Sequence, residues 1–159
     1  MKKTFAILMA LCILCAACSA LADMEIPTWD SMPSVVIEDE NTTVDEAAFE
    51  GEWVLNAAFA NTVYVDEATL FDSYDFVFMP YCIGEGKIAQ DVQNEYGEFN
   101  TVEMPYTFEA GQLQGVDGNG RVFTVELLED GNIVMSVFFP GEGDEVICLS
   151  VFLVHPAEE

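Results

Sequence analysis

Positive charge is what this sequence has least of. Four Lys and Arg residues stand against 29 Asp and Glu in 159 positions, a formal charge of −25. Lys2 and Lys3 open the chain, so the part after residue 22 sets all 29 acids against Lys87 and Arg121 alone, a formal charge of −27. Proteins bind nucleic acid by letting Lys and Arg displace counterions from phosphates, and a field of this sign and size repels phosphate backbones and anionic membranes alike. Nucleic acid is excluded as a partner. The same field leaves a soluble, self-repelling surface or a face for cationic partners as the two readings of the acidity.

Histidine is nearly missing. His155 is the only one, and Pro156 follows it near the C-terminus. A Ser-His-Asp or Cys-His arrangement therefore has a single candidate base, in a position that suits packing better than proton transfer. Cysteine is scarce beyond the first 22 residues, where only Cys82 and Cys148 remain. With His155 they are too few and too scattered for zinc. In an exported chain they read equally as one disulfide or as two buried thiols, because a bridge needs Cα atoms within about 4.4 to 6.8 Å of each other and sequence does not show that distance.

Other chemistry lacks its pattern. Asp117-Gly118-Asn119-Gly120 begins like a calcium loop, but Arg121 takes the fifth position, Val122 the place of the turn glycine and Leu128 the place of the bidentate glutamate, so a β-turn is expected. The acids Glu142, Asp144 and Glu145 are the remaining calcium candidates. Among 29 acids no spacing singles out a pair for glycoside hydrolysis. Gly84-Glu85-Gly86-Lys87 is too short for a phosphate loop and lacks its Lys-Ser/Thr ending. No catalytic residue, metal or cofactor is indicated, and a non-enzyme is expected.

What is present begins with an export leader over residues 1–22. Lys2 and Lys3 are its positive start, Phe5 to Ala17 is an unbroken apolar run, and Ala20-Leu21-Ala22 before Asp23 has the small-x-small pattern of signal-peptidase cleavage. Leu14-Cys15-Ala16-Ala17-Cys18 offers a second ending, since it resembles a bacterial lipobox in which Cys18 is acylated. Release after Ala22 and tethering through a lipid on Cys18 both stay open, and that lipid would be the only link to a membrane.

Residues 23–42 read as an acidic arm with Pro27 and Pro33, in which Trp29 and Val35-Val36-Ile37 are apolar islands able to lie against the domain. Residues 43–159 read as one β-rich domain. Thr43 and Glu46 fit a capping box for about two turns of helix ending at Gly51. After it the period is two. Trp53, Leu55, Ala57 and Phe59 are expected on one face of a first strand, and further strands over 62–65, 74–83, 87–92, 103–108, 112–116, 121–128, 133–139 and 145–154. Asp130-Gly131, Ala110-Gly111 and Asp117-Gly118-Asn119-Gly120 mark turns. Eight or nine short strands in series indicate an all-β fold: an antiparallel up-and-down barrel or a sandwich, with the hairpins favouring the barrel.

Phe49-Glu50-Gly51-Glu52-Trp53 resembles the opening of lipocalins and of secreted bacterial lipocalin-like domains, and Tyr106-Thr107-Phe108-Glu109-Ala110-Gly111-Gln112-Leu113 resembles one of their hairpins. The resemblance spans about residues 44–156 and implies a barrel of about eight strands with a calyx for a small apolar ligand. It implies that Gly51 and Trp53 close the floor and that Trp53 packs on a basic side chain near the last strand, here His155 in place of Arg or Lys. Phe59, Phe76, Phe78, Phe123, Phe138 and Phe139 are enough to fill such a barrel, and a filled interior is the expectation. A ligand-binding domain and a solid barrel that engages a cationic partner are the two functions carried forward.

Overall fold

The computed structural model describes residues 26–38, 42–93, 96–141 and 143–157; the leader expected over residues 1–22, with Cys18, lies outside them, as does Glu142. Among the described residues nine strands follow one another: β1 (Gly51–Ala60), β2 (Val63–Tyr64), β3 (Tyr81–Gly84), β4 (Lys87–Gln93), β5 (Phe99–Glu109), β6 (Gln112–Val116), β7 (Val122–Leu127), β8 (Ile133–Pro140) and β9 (Val146–Val154). From β3 to β9 each pairs antiparallel with the next. The sheet closes through β1, which pairs with β3 over Gly51–Trp53 and with β9 over Val54–Ala60, while β2 is a two-residue flange on the end of β1. The result is the all-β, eight-stranded antiparallel barrel that the strand pattern implies.

Tight hairpins fix the register. In Glu85-Gly86 and Ala110-Gly111 both residues have positive φ, at 53° and 75° and at 51° and 72°. Two-residue turns of this hand match the right-handed twist of the strands they join. The Asp117 turn satisfies itself: Asp117 Oδ1 accepts from the amides of Asn119 and Arg121 at 2.9 and 2.8 Å.

β1 departs from strict alternation. Its register against β9 slips between Leu55 and Ala57, a bulge at Asn56 that inserts one unpaired residue. Side chains on the two sides of a bulge change parity. Trp53 and Leu55 face the barrel interior, but beyond the bulge Ala58 and Ala60 face in while Ala57 and Phe59 face out. The single face expected for Trp53, Leu55, Ala57 and Phe59 is thus split in two.

Two further expectations are corrected. The segment before β1 is a single 3-10 turn over Glu46–Phe49, capped by Asp45, whose side chain accepts from the Ala47 amide at 3.0 Å. The nearer carboxylate wins over Thr43. Residues 67–74, which the β-prone Tyr74 and Phe76 obscure, form helix α1 (Glu67–Tyr74), with Asp66 accepting from the Thr69 amide at 2.8 Å. The strand expected from residue 74 therefore begins only at Tyr81.

The arm packs on the outside of the barrel. Trp29 meets Phe59 and Phe152 edge to face, with centroids 5.5 and 5.8 Å apart, and Val35 bridges to Leu128. Its backbone joins in, as the Val36 amide donates to Leu127 O at 2.8 Å and the Glu129 amide to Ser34 O at 2.9 Å. The outward Ala57, Phe59, Leu128, Val134 and Phe152 are buried beneath it with Met32 and Val35. Trp29→Ala should therefore destabilise the domain by about 1 to 2 kcal/mol through lost apolar and edge-to-face contact. Denaturant unfolding measures the loss, and a glutamate-specific protease should cut faster at Glu38; unchanged stability and cleavage would show that the arm is not held by Trp29.

Candidate functional site

The interior is solid at one end and hollow at the other. At the end where β1 starts and β9 finishes, Trp53 is fully buried, its indole Nε1–H donating to Phe49 O at 2.8 Å. His155 lies on it in a stacked arrangement with ring centroids 3.8 Å apart, and its Nδ1 is 3.0 Å from Glu52 O. Gly51 has φ +129°, and a Cβ there would come within 3.4 Å of the His155 ring. Gly51, Trp53 and His155 thus meet in one closure. Phe49, Ile83, Ile88, Leu113, Ile133 and Leu153 fill the layer around it.

At the other end a cavity of about 330 Å³ opens inside the barrel. Phe123, Met135, Leu149 and Val151 form its apolar wall, and Tyr81, the cross-strand neighbour of Trp53, lies toward the closed end. The filled interior expected from six phenylalanines does not form. Phe76, Phe123 and Phe139 line the cavity. Phe59 is turned outward by the bulge, Phe138 takes the outer face of β8 by alternation between Val137 and Phe139, and Phe78 is exposed.

Because β3 is short, the chain from Asp75 to Pro80 makes the wall beside it. Asp75 ends α1 in the left-handed conformation with its amide on Leu70 O, which turns Phe76 into the core. Gln90, buried on β4, then holds this irregular segment: its Nε2 donates to Val77 O at 3.0 Å and to Met79 O at 2.7 Å. Both amide hydrogens of Gln90 are thus spent on this segment, and Tyr81 stands opposite Gln90 across the strands.

The mouth carries charge on an aromatic frame. Arg121 Nε donates to Asp117 Oδ2 at 2.6 Å, and its guanidinium lies over the Phe139 ring, 4.6 Å from the centroid. Tyr74 meets Phe139 edge to face at 5.3 Å. Asp75 lines the same opening. Tyr74, Asp75, Tyr81, Gln90 and Arg121 are the polar and aromatic residues that sequence reading did not assemble; the one signal for them is Arg121, one of two Lys or Arg residues after residue 22.

The remaining sequence candidates do not converge. Cys82 and Cys148 are free thiols. Cys82 pairs with Glu52 at the start of β1, whereas Cys148 exchanges hydrogen bonds with Asn61 just past its end. At about 3.3 Å of rise per residue the strand between them spans well over 20 Å. A disulfide between them is ruled out in this fold, since their Cα atoms must lie within about 7 Å. Among the described residues no group of His, Cys, Asp and Glu is placed to hold a metal ion; Asp144 and Glu145 do not form one, and Glu142 lies outside the described residues.

Burial raises the ionisation of the Tyr81 phenol far above the ordinary phenol value, with Gln90 and Arg121 opposing it weakly. A folded state that keeps a proton which the unfolded chain releases loses stability as pH rises past the unfolded value, about 10 for a phenol, and feels no effect below it. Tyr81→Phe should therefore flatten the fall in unfolding free energy above pH of about 10, measured by denaturant titration across that window; an equally steep fall in the variant would place the burial penalty elsewhere. Comparison of the chain with protein-family models, curated proteins and solved structures finds no match, so the reading of the site rests on its geometry.

Proposed function

We propose that this is an exported, non-enzymatic, lipocalin-like domain that binds one small apolar ligand in the open half of its barrel. The observation that carries the reading is the cavity of about 330 Å³ at the end opposite the Trp53 closure. A pocket of this size sits at the lower end of the range for small-molecule sites, and its balance of apolar wall and few polar groups at the mouth is typical of them. The resemblance of Gly51-x-Trp53 to the lipocalin opening agrees with it, as does the leader read at residues 1–22. A catalytic role finds no support in His155, whose ring is committed to Trp53 and Glu52 at the closed end, away from the cavity. A hollow interior also favours ligand binding over a solid barrel that works through its acidic surface.

Nile red, a neutral apolar dye, tests the reading. One dye should bind per chain with a dissociation constant in the micromolar range, roughly −8 kcal/mol. Leu149→Trp and Val151→Phe, which fill the cavity from two places, should each weaken binding at least tenfold while circular dichroism shows a folded barrel. Unsaturable binding, or binding that survives both folded variants, would contradict a calyx. The intact mass of the protein made in an exporting host reads the compartment: a chain starting at Asp23 or at an acylated Cys18 fits export, and one starting at Met1 contradicts it.

A further inference from the structure

The cavity mouth already holds one cation, and the way it is held shows what else would fit. Arg121 is bound by an aromatic face, Phe139 at 4.6 Å, and by a carboxylate, Asp117 at 2.6 Å. Those are the two contacts that recognise a cation most effectively at a partly dry site, the ring through its quadrupole and the carboxylate through a charge-assisted hydrogen bond. The same two parts recur beside it without a cation. Tyr74 packs edge to face on Phe139 at 5.3 Å, and Asp75 follows it, fixed at the end of α1 by its amide on Leu70 O. Both line the cavity, and no basic side chain among the described residues pairs with the Asp75 carboxylate.

An anionic head group finds no equivalent. The charge of Arg121 is matched by Asp117, and Tyr81 is a neutral phenol. A chain of net charge −25 also lowers the local concentration of anions and raises that of cations, and a cleft with apolar walls focuses that field.

We infer that the calyx takes a monocationic amphiphile, an apolar body with a single ammonium head. The body lies against Phe123, Met135, Leu149 and Val151, and the head sits between Asp75 and the rings of Tyr74 and Phe139. This rests on the ligand-binding reading above and narrows it to a chemical class. The volume, about 330 Å³, equals that of about eleven waters at roughly 30 Å³ each. It therefore admits a head and a chain of roughly ten carbons.

Isothermal titration of the purified protein at low salt with decylammonium, decanol and decanoate, each below its aggregation threshold, separates the two levels of the proposal. Decylammonium should bind about tenfold or more tighter than decanol, as a ring and a carboxylate together supply about 1.4 kcal/mol. Decanoate should bind more weakly than decanol. Asp75→Asn should bring the amine to within about threefold of the alcohol, the size of step expected when one charge-assisted contact is lost. Val151→Phe should weaken all three. Equal binding of the three probes, or tighter decanoate, overturns the ammonium assignment and leaves the calyx standing. An amine preference that survives Asp75→Asn assigns it to the general acidic field and overturns the site. Amine binding that survives Val151→Phe places the amine on the outer surface and likewise overturns the site. Failure of decanol along with the others removes the calyx itself.

Discussion

Closure of the sheet through β1 is the constraint on which the rest of the structure depends. One strand has to serve two edges, β3 with its first three residues and β9 with its last seven. A barrel removes exposed sheet edges only if that seam is complete. The bulge at Asn56 lies in that seam, and its change of parity sends Trp53 and Leu55 inward and Phe59 outward. Had alternation continued, Ala57 would stand opposite Val151 and Phe59 opposite Leu149, both inside the barrel. Instead two alanines, Ala58 and Ala60, face in along this part of the seam.

The outward Phe59 needs a cover, and the arm supplies it. Trp29 meets both Phe59 and Phe152, so residues 29–36 behave as an outer layer of the domain more than as a linker. The inner and outer clusters thus share one origin, a single inserted residue that assigns apolar side chains to two faces. The dense acidity fits this division of labour. Among the described residues nearly all the carboxylates are exposed at the surface, and few cations are available to be drawn into the interior. Arg121 is the exception, and it reaches the cavity mouth already neutralised by Asp117.

Much of the fold was legible because local rules agree with the final structure. Asp130-Gly131 and Ala110-Gly111 turn where residues tolerant of positive φ allow it, and seven of the strands fall on runs of β-branched and aromatic residues. Helix α1 was hidden because Tyr74, Phe76 and Phe78 read as strand, although Asp66 caps its start. The bulge leaves no trace in composition, since Asn56 looks like any outward polar residue until the partner strand is known. For the same reason six phenylalanines could be counted but not assigned to a face, and hollow could not be told from filled. Of the site, the Gly51, Trp53 and His155 closure was readable through resemblance. The mouth was not, because Tyr74, Asp75, Tyr81 and Arg121 come from three separate segments that only the closed barrel brings together.

The central claim is a barrel solid around Trp53 and empty toward the end of β1. Methyl-resolved NMR of the protein under increasing xenon pressure tests it most directly, because xenon enters dry apolar cavities and reports where they are. The account predicts saturable shifts at Met135, Leu149 and Val151, with Ile83, Ile88 and Leu153 in the layer around Trp53 unmoved. Absence of saturable shifts at the first three, or equal shifts at both ends, would contradict it.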